Sequence, residues 1–432
     1  MKQFFTISCI VIIACHTVFA QEKWTLEQCI EYGLKNNLML LQMQGENNKL
    51  HIKTQNLRNS RLPNAEMRAS QRFNFGRSLN RENVYQDVSS RTTDMSLNVE
   101  MPLFDGFTTR YALKANTAGI QASDENIIVK KDELRLNIVN LFYRVVIYKE
   151  IHQIALEQKK LTKNQIERIK TRLEAGMASK NLLLETQAQL ADDELKITET
   201  KANTDIALIE LAQLMNLTEH IAVFDISIEE SAVRTLPFAQ SNKGVELDKF
   251  PRYQAAHYQL QQLEWNYKKV RSGYLPSLSL GGSVGSSYYN QSGAANRSFS
   301  EQLRNNQQTY VYVALRIPLF DKFITRDNLR GVQQDIQNQQ LALQETINNL
   351  HTEALKIESD LQHTYQKVET ANQSVTAHAE AFRFATEMFN AGKLSVYEHL
   401  QAKQRLADSR SRAAQAKYEL AYKLVVFEYY HK

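Results

Sequence analysis

The sequence predicts long helical coiled coils joined to strands of a transmembrane β-barrel that one chain cannot close by itself. Three observations predict it. The 432-residue chain repeats itself at half its length. Four short runs alternate apolar and polar residues, the period of a strand with unlike faces. The stretches between those runs are almost free of helix breakers: glycine numbers 14 and proline 6, where ordinary usage would give roughly 30 and 20. A hydrophobic content of 43% and a mean hydropathy of -0.45 exclude a polytopic helical membrane protein. A net charge of +5 does not call for nucleic acid.

In chain order, residues 1–20 read as an export signal. Lys2 precedes an apolar run from Phe4 to Cys15, with cleavage expected after Ala20. A lipoprotein reading would instead cut before Cys15, but Ile12 stands where such sites usually carry Leu. Cys9 and Cys15 lie in this leader, so the exported chain is expected to keep only Cys29 and to form no internal disulfide.

The duplication is carried by three matches in the same order. RLPNAEM around Pro63 resembles YLPSLSL around Pro276, an offset of 213. VEMPLFDGFTTRYALKAN around Pro102 matches LRIPLFDKFITRDNLRGV around Pro318, and LEAGMASKNLLLETQAQLAD around Gly176 resembles FNAGKLSVYEHLQAKQRLAD around Gly392, both at 216. Each half is therefore expected to hold a helix of about 30 residues, two strands and a long helical hairpin. The first repeat covers 21–217, with strands near 63–75 and 92–102 and a hairpin over 105–217. The second covers 251–432, with strands near 277–289 and 308–318 and a hairpin over 320–430. Residues 218–250, with Pro237 and Gly244, form an irregular bridge.

The strand runs have clear faces. Ala65, Met67, Ala69 and Phe73 oppose Glu66, Arg68, Ser70 and Arg72; Met95, Leu97, Val99 and Met101 oppose Asp94, Ser96, Asn98 and Glu100. Leu278, Leu280, Val284 and Tyr288 share a face in the third run, and Val311, Val313, Leu315 and Ile317 in the fourth. Runs of this length suit transmembrane strands of about 9–11 residues. Loops 76–92 and 289–308 are polar, as hairpin tips. Known closed barrels begin at about eight strands, and lipid forbids open edges. Four strands per chain must then be pooled: two copies give eight, three give twelve.

The helical stretches are very long. From Asp105 to Ala175 there is no proline, and from Val332 to Ala391 neither glycine nor proline. At 1.5 Å per residue the first would extend ~105 Å, which fits only a coiled or columnar assembly. Thin apolar lines such as Leu134, Ile138, Leu141 and Val145 supply the seam. Leu406, Tyr418, Tyr422, Val425 and Phe427 read as packing positions. Asp105 and Asp321 are expected N-caps where strand passes into helix, after Pro102 and Pro318. Gly176 and Gly392, each after an alanine, are expected hairpin reversals.

The strand–PLFDGF–long helix–AG–long helix plan, given twice, resembles the TolC-like outer membrane efflux proteins over 21–432. The resemblance implies an all-α coiled-coil α-barrel carrying a transmembrane β-barrel, with four β-strands per protomer. A homotrimer would give a twelve-stranded barrel in outer membrane lipid and a helical tunnel in the periplasm. It implies a passive duct, not an enzyme, that needs no cofactor. The bridge would join an equatorial belt. A periplasmic adaptor would meet the tips and link the duct to an inner membrane RND or ABC transporter. Glu398 and Gln401 match the family's two acidic constriction positions, the second now an amide; Leu182 and Glu185 are their first-half equivalents. Arg172, Gly176, Lys180, Gly392 and Lys393 are expected at the tips and at the adaptor contact.

Other chemistry finds little support. The ten histidines form no metal-ligand spacing. GGSVG at 281–285 lacks the Lys-Ser/Thr of a phosphate loop and lies inside an alternating run, where curvature or close packing explains it. Trp24 and Trp265 read as packing residues, with an interfacial role also open to Trp265 and Tyr267. The competing functional class is a non-transporting periplasmic coiled-coil scaffold or adaptor with soluble hairpins.

Overall fold

A computed structural model describes residues 23–79, 83–218, 224–227 and 246–430. The expected leader and most of the bridge, including Pro237 and Gly244, lie outside the described residues. Two compact units form, and they cut across the repeats. Among the described residues, one draws on 23–41, 130–218, 224–227 and 351–430; the other draws on 42–79, 83–129 and 246–350.

The first unit begins with β1 (Lys23–Trp24) and α1 (Leu26–Asn36). Thr25 starts α1 with a capping box: its hydroxyl accepts the Gln28 N–H (3.3 Å) and the Gln28 side chain accepts the Thr25 N–H (2.8 Å). The single 30-residue helix expected here is broken at Asn37, whose φ of -66° and ψ of 122° are extended. Its side chain then caps the next helix, α2 (Leu38–Asn59), by accepting the Leu40 N–H at 3.2 Å. Sequence periodicity runs through such a break because the residues on both sides favour helix.

Two very long helices pass through both units, α3 (Thr108–Glu174) and α7 (Ile324–Asn390). Each is followed by a shorter one, α4 (Lys180–Met215) and α8 (Val396–Tyr430). The main core joins Cys29 of α1, Ile138, Val139, Val145 and Val146 of α3, Leu211 and Met215 of α4, and Tyr418 and Ala421 of α8. Burial and the nearby Glu27 carboxylate push the Cys29 thiol up to about 12, so it behaves as a small apolar residue. Trp24 packs edge-on against Tyr32 and Phe224, at 5.2 and 5.6 Å between ring centres.

The bridge is not wholly irregular. β6 (Asp225–Ile226) pairs in parallel with β1, and Lys149 of α3 binds both the Asp225 carboxylate and the Ile226 carbonyl. A two-residue parallel pairing 202 positions apart leaves no mark in local sequence.

The second unit holds a four-stranded antiparallel sheet, in the order β2 (Asn64–Asn74), β5 (Ser90–Phe104), β7 (Ser277–Gln291) and β8 (Gln308–Arg316). The polar loops contain further elements: a small hairpin of β3 (Arg77–Leu79) and β4 (Tyr85–Asp87), and a short helix α6 (Phe299–Asn305). A 21-residue helix, α5 (Pro251–Arg271), leads into β7. Trp265 on α5 stacks with Tyr111 and takes the ammonium groups of Lys114 and Lys268, each 4.1 Å from its ring centre.

Candidate functional site

The sheet has two unlike faces, set by register. Directly paired residues share a face, so Ala65, Val99, Gly282 and Val311 form one apolar row, and Met67, Leu97, Val284 and Thr309 the next. Met101, Leu280 and Val313 continue it. Met67 is 74% exposed and Val311 75%, values foreign to a soluble protein's core face. The opposite face carries Glu66, Asn98, Ser283 and Tyr310 in one row, with Ser283 donating to the Asn98 side chain at 2.8 Å. Gly281, on this polar face, leaves the space of its absent Cβ to the Tyr312 ring. Both edge strands, β2 and β8, are unpaired on their outer sides within this sheet.

Strand passes into helix by the same device twice. Gly106 and Phe107 have φ of 65° and 66°; Lys322 and Phe323 have 58° and 64°. The Asp105 carbonyl accepts the Thr108 N–H, and the Asp321 carbonyl accepts the Ile324 N–H, both at 3.2 Å. Two positive φ values closed by such a bond make a type I′ turn. Asp105 and Asp321 are therefore not N-caps in position. Phe107 and Phe323 hold that place, their carbonyls accepting the first helical bonds from Tyr111 and Asp327 at 3.0 Å. The aspartates sit two residues earlier and still reach forward, each accepting a backbone N–H, from Thr109 and Thr325, at 2.8 Å. Thr325, by side chain and then backbone, holds the Asp321 carboxyl below the usual range. Pro102 sits at a register shift inside β5, whereas β8 stops at Arg316, short of Pro318. The partner strand β7 begins at Ser277, which pairs with Arg316, so Pro318 has no residue opposite.

The two reversals are equally alike. Gly176 and Gly392 have φ of 73° and 72°. Met177 N–H reaches the Arg172 carbonyl at 2.7 Å and Gly176 N–H the Leu173 carbonyl at 2.9 Å. Lys393 N–H reaches Met388 at 2.9 Å and Gly392 N–H reaches Phe389 at 3.0 Å. Both are Schellman closures, which need the left-handed residue glycine supplies. Three residues later a serine starts the next helix. Ser179 accepts the Leu182 N–H at 3.2 Å and Ser395 the Glu398 N–H at 3.3 Å. Neither serine was singled out from sequence, although the shared AGxxS spelling marks both.

The expected site residues divide. Arg172, Glu185 and Gly392 line one groove of about 250 Å³ between the reversals, with Ser179, Asn181 and Phe389. Lys180, Lys393, Glu398 and Gln401 are exposed and lie outside that lining. Glu185 accepts from Asn181 at 2.8 Å. The Glu398 carboxylate turns back to Ser395, accepting its hydroxyl at 2.6 Å and its N–H at 3.1 Å. Those two bonds, the hydroxyl first, hold its carboxyl below the usual range.

Deeper in the same unit lies a cluster that sequence inspection missed. The Lys403 ammonium meets the Asp193 carboxylate at 2.8 Å, their side chains only 5% and 7% exposed. The Thr162 hydroxyl bonds both, and Gln189 donates to the other Asp193 oxygen at 3.0 Å. Burial lowers the Lys403 ammonium, and Asp193 offsets part of that. The cluster joins α3, α4 and α8, so the first hairpin is tied to a helix of the second. One turn earlier on α8, His399 stacks on Phe389 at 4.8 Å and meets the Thr386 hydroxyl at 3.1 Å. No local signal could mark a pair 210 residues apart.

No described helix is long and apolar enough to cross a membrane. Among the described residues no group of three His, Cys, Asp or Glu could hold a metal.

Comparison with known proteins agrees with this geometry. The family model described as outer membrane efflux protein matches residues 69–217 and 246–425. The alkaline protease secretion protein AprF of Pseudomonas aeruginosa is 21% identical over 357 residues, 79% of this chain and 73% of that protein. The solved structure of the CusC transmembrane channel superposes with a TM-score of 0.80 at 14% identity, covering 94% of this chain and 91% of that one. The CmeC outer membrane channel of Campylobacter jejuni gives 0.76 at 18% identity, covering 93% and 84%. The outer membrane protein VceC of Vibrio cholerae gives 0.76 at 14%, covering 94% and 95%. The chain belongs to the outer membrane efflux protein family.

Proposed function

We propose that three copies of this chain pool their sheets into a twelve-stranded barrel in the outer membrane and form a passive exit duct. The observation that carries this reading is the sheet itself: one exposed apolar face, one polar face and two open edges. In lipid such edges must be closed by other strands. Antiparallel alternation lets β8 of one copy pair with β2 of the next. The polar face then lines water, and the long helices continue the passage through the periplasm.

In this reading the reversals at Gly176 and Gly392 are the periplasmic tips. Arg172, Lys180 and Lys393 meet a periplasmic adaptor, which connects to an inner membrane RND or ABC transporter. Glu398, with Gln401 and Glu185, lines the constriction. A ring of three glutamates would favour cations over anions, while Gln401 removes a second such ring. The relative named for alkaline protease secretion keeps type I secretion beside efflux. Pro102, Asp105, Pro318 and Asp321 mark the depth at which barrel passes into helix.

Single-channel recording of the purified protein in planar bilayers tests the duct. Cation-selective pores are expected, with selectivity falling in Glu398→Ala. Folded trimers that pass no current, before and after tip substitutions, would refute it. A mature chain that stays in solution without detergent would instead favour the scaffold reading.

A further inference from the structure

The foot of the sheet, where the long helices leave it, is basic. The ten residues next to each strand end, 54–63, 105–114, 267–276 and 317–326, hold nine Lys or Arg and two acids. Both acids, Asp105 and Asp321, are engaged by the N–H groups of Thr109 and Thr325. Over the whole chain the balance is 52 basic to 47 acidic, and the segments at the opposite end of the sheet, 75–89 and 292–307, hold four basic residues and three acids. Positive charge is therefore concentrated at one end of the sheet.

Aromatic rings join that end to the apolar face. Phe104 shares its row with Leu278 and Leu315, the last row of that face. Phe104 meets Phe107 edge-on at 5.1 Å, Phe107 meets Tyr111 at 6.4 Å, and Tyr111 stacks on Trp265 at 6.3 Å. The ammonium groups of Lys114 and Lys268 close the series. Each is 4.1 Å from the Trp265 ring centre, so at most twice that, 8.2 Å, separates them. Neither forms an ion pair among the described residues, although Glu264 stands one turn before Lys268. The second half builds a shorter version: Phe320 meets Phe323 at 5.3 Å, and the Arg326 guanidinium lies 4.2 Å from the Phe323 ring centre. Arg326, however, is paired with Asp327 at 3.0 Å. The uncompensated charge is in the first half.

We propose that Lys114, Lys268 and Trp265 bind the phosphate of an anionic phospholipid headgroup whose acyl chains lie on the apolar face. Two ammonium ions this close repel each other within a screening length of about 8 Å. One phosphate group removes that repulsion by accepting from both, at about 2.7–2.9 Å each. The depth agrees. Lys114 lies six residues into α3 and Trp265 six before the end of α5, about 9 Å along each helix. A bilayer's headgroup layer is about 5–8 Å deep on each side. Cα–Cβ bonds tilt toward a helix N-terminus, which for α3 is the end at the sheet, so Lys114 leans toward the membrane. Its stem then carries the ammonium further. The site rests on the barrel reading above, because it needs the apolar face in lipid.

Full-length trimers in nanodiscs of equal parts phosphatidylglycerol and phosphatidylcholine, with matched chains, test it. Native mass spectrometry counts the lipid each trimer retains. Retention is expected to favour phosphatidylglycerol, by about fivefold for each lysine. Lys114→Gln with Lys268→Gln should lower that preference several-fold. Arg297→Gln with Arg304→Gln, at the opposite end of the sheet, should leave it unchanged. An unchanged preference in the lysine variant, or an equal fall in the arginine variant, overturns the site. Inorganic phosphate that removes the preference, where chloride at the same ionic strength does not, would assign the lysines to a free anion and overturn the lipid reading. Trimers that enter nanodiscs and conduct, yet retain both lipids equally, lose the lipid site and keep the barrel. A chain that does not enter nanodiscs loses both.

Discussion

The two hairpin reversals share a backbone and differ in chemistry. Both end a 67-residue helix with a Schellman glycine and begin the next helix on a serine. At equivalent positions 216 apart, however, Leu182 corresponds to Glu398, Leu183 to His399, Glu185 to Gln401, Gln187 to Lys403 and Asp193 to Ser409. Local closure was kept in duplicate because each glycine and serine acts alone on its own turn. The long-range chemistry was not duplicated, since one charge on each side suffices for a pair. The difference teaches that duplication preserved the shape of the tips while the halves became dependent on each other.

The largest expected effect lies at the buried pair. Lys403→Met or Asp193→Leu alone leaves an unpaired buried charge, which should destabilise by about 3–5 kcal/mol. The two together should recover most of that loss. The matched Gln187, exposed on α4, should tolerate alanine within about 0.5 kcal/mol. Hydrogen exchange around residues 193 and 403 of the intact protein measures this. Equal losses in the single and double variants would break the account of a coupled pair.

Next come the glycines, where the two tips should behave alike. Gly176→Ala and Gly392→Ala each place a side chain in the left-handed region, at about 1–2 kcal/mol. Markedly unequal losses in thermal unfolding would show that one reversal is held by something other than its own turn. The serines should then differ. Ser179→Ala removes one cap, about 1 kcal/mol, while Ser395→Ala removes a cap and the hydroxyl's bond to the Glu398 carboxylate, and should lose more.

The smallest effect is one of pH. Burial, then the Lys403 ammonium, holds His399 below the usual imidazole value near 6.5. The unfolded chain therefore takes up its proton first as pH falls. Stability from neutral His399 is full above about 6.5 and is lost as pH falls through its lowered value. Thr386, Phe382, Phe389, Lys403 and, across the same cavity, Arg168 stand around it, and none of these is a carboxylate that would reverse the sign. Acidification should speed exchange near 399 but not near Leu183. His399→Leu, which copies the first half, should abolish the difference.

Much of the fold is legible in the sequence because it is made of local signals. Period-two runs such as MRASQRF carry their face assignment residue by residue, and the repeated PLFD marks each junction, although not the turn that makes it. The helix break at Asn37 was not legible, since its flanks both favour helix and a single side chain decides. The docking of α6 was not legible either. Gln302 is an ordinary amide in a polar loop until it bonds the Tyr289 backbone of β7.

The sequence by itself determined the duplication, the alternating strands, the long helices and the points at which they stop. These depend on neighbours within a few residues, through backbone sterics, capping and periodicity. Only the tertiary structure decided that the compact units run across the repeats, that β5 and β7 join the two hairpins into one sheet, and that Lys403 belongs to Asp193. Such pairings are chosen by which surfaces can be closed and which charges can be buried together, and those conditions exist only once the chain has folded back on itself.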